Sequence, residues 1–405
     1  MKTTYLLLCL LGIGSVSGAG QTKQPQKIGD FIESTSYNEH RRNATRSLQY
    51  TPDGDDFVCI NGKNRFTRAL YGSHTAFRLE TSDRPVFAAY TKENPKHICF
   101  KLQTSGGTVA LDSTEHCESR YTAGRRSYSL SDPAFGGGSL SITTWALPDK
   151  EGAIWQFNAR NFKEFHPVLL ASISEIRNSK LNRNGDMGAD PADSFEAPLQ
   201  PQQLQSFPVQ IDGTLYILLE NQELRTLTTA EGENLFKKAE AARSETASRI
   251  RIETPDPYFN TLGGTLAMAA DGIWDGEVWL HGAIGWRMPL SGWRAAYTGD
   301  VLGWHDRART HFNAYAASQV TEVPNTLPHP AQDSALHLAR SVKKWGTPQY
   351  SNGYICRNPH RNNQMHHYDM NLCYIDELLW HFKWTGDLDY VRQMWPVITR
   401  HLAWE

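Results

Sequence analysis

Apolar positions recur every second residue in the first half of the chain and every third or fourth in the second half, and the two halves predict different structures. From about Tyr50 to Gln222 the signal is β. Phe57-Val58-Cys59-Ile60 leads into Asn61-Gly62, a dipeptide that tolerates the positive φ angles of a type I′ hairpin turn. Phe207, Val209 and Ile211 alternate with polar residues, Asp212-Gly213 turns the chain, and Leu215, Ile217 and Leu219 alternate again. That stretch predicts a second hairpin. Leu140-Ser141-Ile142-Thr143 and Ile154-Trp155-Gln156-Phe157 are further strands, and so many strands with Gly-rich turns predict a β-sandwich.

Thr229 to Arg251 is rich in Glu, Lys, Arg and Ala, the composition of an exposed helix, and reads as a helical linker over roughly Ala230 to Ile250. After Pro257 the period is helical. Tyr258, Phe259, Leu262, Leu266, Ala269 and Ala270 make one apolar face. Val301, Trp304, His305, Ala308, His311, Phe312 and Tyr315 make another, and Leu372, Ile375, Leu378, Leu379 and Phe382 a third. Trp384-Thr385-Gly386-Asp387 stops that helix, and Val391, Met394, Trp395, Ile398 and Leu402 continue as a new one, kinked or restarted at Pro396. Helices paired through short turns and separated by long loops predict a toroid of helical hairpins. His401-Leu402-Ala403-Trp404-Glu405 carries no stop signal, so the sequence predicts further hairpins and apolar helix faces left uncovered without them.

The expected fold is therefore α+β in two domains. A signal peptide (residues 1–19) precedes a β-sandwich (40–225), a helical linker (226–254) and the first part of an α/α toroid (255–405). The signal is read from the positive Met1-Lys2-Thr3-Thr4, the short apolar run Tyr5 to Ile13 and the small residues Gly14 to Ala19, and it predicts a periplasmic or secreted protein. No later segment is apolar enough to be transmembrane.

A net charge of −2 gives no basic footprint for nucleic acid and no polybasic patch for a membrane surface. Beyond the signal lie Cys59, Cys99, Cys117, Cys356 and Cys373. Cys356 and Cys373 bracket a loop and are candidates for a disulfide; the other reading makes these cysteines small buried hydrophobes.

Candidate chemistry concentrates in the helical half. Gly285-Trp286-Arg287 and Gly292-Trp293-Arg294 place aromatic faces and guanidinium forks on one loop, followed by Tyr297-Thr298-Gly299-Asp300. Indole faces stack on the C–H patches of a sugar, Arg donates paired hydrogen bonds and a carboxyl group protonates a glycosidic oxygen. Asp300 is either such a group or a helix N-cap. Asp275 and Glu277 lie between Trp274 and Trp279, and Glu277 reaches further; the alternative is an exposed polar turn. His360, Arg361, His366, His367, Tyr368 and Asp369 form a second polar cluster at a helix start. His366 and His367 point apart on a helix and do not chelate as a pair. Asn184 to Asp193 holds three Asp residues without EF-hand spacing, so no metal or other cofactor is expected.

The order of sandwich, charged helix and helical hairpins resembles the six-hairpin, or (α/α)6, glycosidase superfamily. Gly292-Trp293-Arg294 with Tyr297-Thr298-Gly299-Asp300 is similar to the Gly-Trp-x-Gly-Asp segment of bacterial α-L-rhamnosidases, with residues inserted. Tyr368-Asp369-Met370-Asn371-Leu372 running through Trp384-Thr385-Gly386-Asp387 to Trp395-Pro396 resembles the hairpin signature of that superfamily. The resemblance implies an inverting glycoside hydrolase acting on a polysaccharide or oligosaccharide, with a second carboxylate supplied by a later hairpin. The acid that rhamnosidases carry just upstream of Gly-Trp is absent here, where the span reads Arg287-Met288-Pro289-Leu290-Ser291. Glu277, Asp300 and Asp369 are the catalytic candidates, and Trp274, Trp286, Arg287, Trp293, Arg294, His366, His367 and Tyr368 the sugar contacts. The competing readings are a uronate lyase, with Tyr368 or His367 as base and Arg357 and Arg361 as carboxylate binders, and a non-catalytic carbohydrate binder.

Overall fold

The computed structural model describes residues 50–63, 68–72, 76–90, 96–148, 150–162, 166–175, 205–282, 288–292, 296–321, 332–333, 338–339, 353–359 and 369–404. All belong to one compact unit, Gln49–Glu405. The signal segment, Asn184 to Asp193, and the tips that carry Trp286, Arg287, Trp293, Arg294, His360, Arg361, His366, His367 and Tyr368 lie outside the described residues.

The order is β first, then α. One antiparallel sheet contains β1 (Thr51–Asp53), β2 (Asp56–Ile60), β8 (His116–Thr122), β9 (Arg125–Ser131), β10 (Ser139–Ala146), β11 (Gly152–Arg160), β14 (Thr214–Glu220) and β15 (Glu223–Leu227), neighbours in that order. The second runs β13 (Gln205–Gln210), β12 (Val168–Glu175), β6 (Lys96–Thr104), β5 (Val86–Tyr90), β4 (Arg78–Thr81), β3 (Arg68–Tyr71), with β7 (Gly107–Ala110) beside β6. Trp155 and Phe157 from the first sheet meet Phe87 and Phe100 from the second edge to face, with ring centroids 5.0–6.0 Å apart.

Neither expected hairpin forms. β2 pairs with β1 and β8, while the next strand, β3, lies in the other sheet. Likewise β13 pairs with β12, and β14 with β11 and β15. Asn61-Gly62 and Asp212-Gly213 are thus the places where the chain crosses between sheets. Each supplies a single positive φ, Asn61 at 51° and Gly213 at 86°, whereas a type I′ turn needs two. Asn221-Gln222 does have two consecutive positive φ values, 52° and 64°, and it joins the paired strands β14 and β15.

The linker is helix α1 (Thr229–Ala247), and it is not exposed all round. A capping box starts it: the Thr228 hydroxyl accepts from the Glu231 N–H at 3.3 Å and the Glu231 carboxylate accepts from the Thr228 N–H at 3.1 Å. α1 then lies on the outer face of the first sheet, covering Trp145, Leu147, Ile154, Tyr216 and Leu218 with Phe236 and Ala239. Trp145 donates its indole N–H to Glu240 at 2.8 Å. β14 is buried on both sides for this reason: Ile217 and Leu219 fill the sandwich, Tyr216 and Leu218 sit under α1.

The remaining helices are α2 (Pro257–Asn260), α3 (Gly263–Gly272), α4 (Tyr297–Val301), α5 (His305–Ala316), α6 (Asp369–Thr385) and α7 (Leu388–Trp404). The first expected apolar face is met in part: Tyr258 and Leu262 pack on the sandwich core and Ala270 is buried, but the helix breaks at Thr261–Leu262 and restarts in a new phase. Phe259 and Leu266 are exposed, and Ala267, Met268 and Asp271 are buried beside Ala270. The second face is divided between α4 and α5 by Gly303 at φ 74°; Ala308, His311, Phe312 and Tyr315 are buried, Val301 exposed and His305 half-exposed. On α6 the buried stripe is Met370, Asn371, Tyr374, Ile375, Glu377, Leu378 and His381, while Leu372, Leu379, Trp380 and Trp384 face outward. α7 runs unbroken through Pro396, contrary to the expected restart.

α5 and α6 run antiparallel: Tyr315 near the end of α5 meets Tyr374 near the start of α6, and the start of α5 meets His381 through Asp300. Gly386, at φ 62°, turns α6 into α7, and Asp387 caps α7 by accepting from the N–H groups of Asp389 (3.1 Å) and Tyr390 (2.9 Å). Sandwich and helices are joined at α3, where the buried Arg78 of β4 donates to the last carbonyl, Gly272 O, and the Tyr71 ring fills the space a Cβ at Gly272 would need. Cys59, Cys99, Cys117, Cys356 and Cys373 are all free thiols, so the Cys356–Cys373 disulfide is not formed. No described helix is long and apolar enough to cross a membrane.

Candidate functional site

At the end of the helical layer where α5 stops and α6 starts, three loop stems meet. The first follows α3. Asp271 O accepts from Trp274 N at 3.0 Å, Gly276 takes φ 100°, and Asp275 accepts from the N–H groups of Glu277 (3.0 Å) and Val278 (2.8 Å). This tight turn sets Trp274 opposite Trp279, and the bridge continues from Leu280 to Pro289. The second stem ends at Gly292, which packs so closely on α6 that a Cβ there would collide with the backbone of Met370 and Tyr374. The third is residues 353–359, held to the end of α5 by Val320 N to Tyr354 O (2.7 Å) and Cys356 N to the Ser318 hydroxyl (3.2 Å). Both polar groups of the Asn371 amide lock Ile355 to α6.

Tyr315 is the centre of this end. It is fully buried, and burial is the chief cause that pushes its phenol well above the usual range; the negative charges of Asp275, Glu377 and Glu277 act in the same direction and Arg357 opposes them. Three carboxylates and a guanidinium are thus within electrostatic reach of one hydroxyl. Glu377 is buried at 1% exposure, Glu277 half-buried. Arg357 contacts the Met288 sulfur at the base of the first stem, and burial lowers its pKa. His281 is lowered too, by burial and then by the Arg357 charge. Behind this group His311 is neutral: it accepts the Trp279 N–H on Nδ1 at 3.1 Å, and burial pushes its pKa down to about 3.

The candidates separate on this map. Glu277 is half-buried and is the weakest of the three carboxylates that act on Tyr315. Trp274 is a core residue, 3% exposed, with its ring 4.6 Å from Trp279 and the Arg307 guanidinium over its face at 5.6 Å, so it offers no face to a sugar. Asp369 is the first residue of α6, and nothing further is described of it.

Asp300 is elsewhere. It does not cap a helix; it lies within α4, 4% exposed, and its carboxylate is gripped by two imidazoles. His305 Nδ1 is 2.7 Å from Oδ1, and His381 Nδ1 is 2.9 Å from Oδ1 and 3.0 Å from Oδ2. His381 follows Asp369 by twelve positions on α6, roughly 18 Å at the rise of an α-helix. Asp300 therefore stands by the far end of α6 from the position of Asp369. Asp300, His305 and His381 are the described group whose donor atoms could together hold a metal ion, within 4.8 Å of one another.

Sequence reasoning missed Glu377, His381 and the placement of Tyr315. The signal was available: a Glu and a His at positions 377 and 381 fall on the same stripe as Tyr374 and Leu378, and polar residues on an apolar stripe are either paired or functional.

Residues 95–249 match the family model described as Domain of unknown function (DUF4450), a span from β6 to just beyond α1. The chain resembles that family over the sandwich and its covering helix; the match ends before Asp275, ahead of every residue of the candidate site. No curated protein matches the chain.

Proposed function

We propose that the protein is a secreted glycoside hydrolase acting on a polysaccharide or oligosaccharide, with α3 to α7 forming part of an (α/α)6 toroid and the sandwich bracing it. The observation that carries this reading is the cluster around Tyr315, where Asp275, Glu277, Glu377 and Arg357 act on one buried phenol. Asp275 is committed to the turn it holds, which leaves Glu277 and Glu377 as the working carboxylates. Glu377, buried among tyrosines, suits the proton donor; Glu277, half-buried where water reaches it, suits the base that activates water. The sequence resemblance to six-hairpin glycosidases and the Gly-Trp-Arg motifs of the sequence support a sugar as the ligand. In this reading a base from a later hairpin is replaced by a pair within residues 275–377.

A toroid-type lyase on uronates is the second reading, favoured by Arg357 beside Tyr315. Against it, burial and neighbouring carboxylates keep that phenol protonated, so it makes a poor base. Incubation with a panel of polysaccharides decides. Hydrolysis gives new reducing ends without ultraviolet absorbance, elimination gives an absorbing unsaturated uronate, and a binding protein gives neither. Release of the unsaturated product, or binding without any product, would overturn the hydrolase reading.

A further inference from the structure

We propose that Asp300, His305 and His381 bind a divalent transition-metal ion of the zinc or cobalt type, at the end of the helical layer opposite the Tyr315 cluster. Three observations meet there. The first is convergence: both histidines turn the same atom, Nδ1, to one carboxylate oxygen, at 2.7 and 2.9 Å, from three different helices. A tetrahedral ion with bonds of about 2.0 Å holds its donors about 3.3 Å apart, so the three groups need to part by only about half an ångström to admit it.

The second is charge. Asp271, the other buried Asp of the helical layer with a described ion pair, has Arg307 at 2.7 Å. Asp300 is as deeply buried, yet the described residues supply no Lys or Arg to it, only the two imidazoles. An isolated buried carboxylate is costly unless a cation compensates it, and a metal ion bound by two neutral imidazoles is such a cation.

The third is access. His381 is fully buried, its Nε2 without a hydrogen-bond partner among the described residues and its ring against Phe312, Phe382 and Tyr390. His305 is 46% exposed at the start of α5, just after the Gly303 turn, and can swing to open and close the site. Two imidazole nitrogens and one carboxylate oxygen suit zinc, cobalt or nickel rather than calcium or magnesium, and three protein ligands leave a fourth position to water on the His305 side. The bound ion ties α4, α5 and α6 together.

The test uses chelator-treated protein titrated with cobalt chloride. The wild type gains visible ligand-field bands that saturate at one equivalent, and zinc chloride removes them while raising the melting temperature. His305→Ala, at a half-exposed position where folding is not at risk, weakens cobalt binding about tenfold or more, and Asp300→Asn abolishes it. No visible band in the wild type, or an unchanged band and stoichiometry in His305→Ala, would overturn the site; the buried carboxylate is then held by its imidazole hydrogen bonds alone.

Discussion

Buried polar side chains do different work in the two halves of this molecule. In the sandwich they bond to backbone and hold strands together. Arg126, fully buried, donates to Ser82 O at 2.6 Å and to the Tyr50 hydroxyl at 2.9 Å; Tyr128 donates to the same carbonyl at 2.8 Å; Arg84 reaches Gly62 O and Thr114 O at 2.9 and 2.7 Å. In the helices Ser318, Gln319, Asn371 and Tyr374 also bond to backbone, while other buried polar groups face side chains. Asp300 lies between two histidines, and Tyr315 among Asp275, Glu277 and Glu377. Meanwhile Trp380, Trp384 and Trp395 are exposed. A polar group that satisfies a backbone serves the fold. Buried clusters that bond no backbone cost stability, and the proposed function is that these are kept for chemistry.

The largest effect that would break this comparison lies in the sandwich. Trp155→Ala removes a fully buried indole from the ring cluster with Phe87 and Phe100, and should cost about 3–5 kcal/mol in urea unfolding. A loss below about 1 kcal/mol would mean that the sandwich core is not the stability source assigned to it.

A smaller effect follows from His311. Its folded pKa is pushed from 6.5 to about 3, so the unfolded chain takes up a proton first as pH falls. The stability this group contributes is full above pH 6.5 and is lost between pH 6.5 and 3, at up to about 1.4 kcal/mol per pH unit. His311→Gln should flatten the pH dependence of the urea midpoint in that window. An unchanged slope would place the imidazole in solvent.

The smallest is at the surface. Trp384→Ser, at a position 53% exposed, should change stability by less than about 0.5 kcal/mol and raise solubility. A large loss would show that the outward stripe of α6 is covered within this chain.

The order of β then α was legible because alternation and helical periodicity are local signals. Strand pairing was not. Asn61-Gly62 and Asp212-Gly213 are good turn formers, but nothing local says whether the next strand returns to the same sheet or crosses to the other, since both choices bury the same apolar face. The linker helix was legible as a helix, and its packing was not, because its apolar stripe is made of only Leu235, Phe236 and Ala239 among charged residues. In the helical half, Glu277 was found from its Trp neighbours. Glu377 and His381 were passed over because the apolar pattern of α6 was traced through Leu372 and Leu379, which face outward. With apolar residues on every side of α6, periodicity alone could not choose the buried side. Asp300 was found and misplaced: its partners, His305 and His381, are five and 81 residues away, and only the second brings the far end of α6 into view.

The central claim is that the buried carboxylate of α6 is retained for chemistry, and Glu377→Gln measures it most directly. The amide keeps the shape and an acceptor, so urea unfolding should stay within about 1 kcal/mol of wild type, while release of reducing ends from the hydrolysed polysaccharide falls at least about 100-fold. Wild-type turnover in Glu377→Gln, or a fall in activity that only follows a loss of several kcal/mol in stability, would contradict the account.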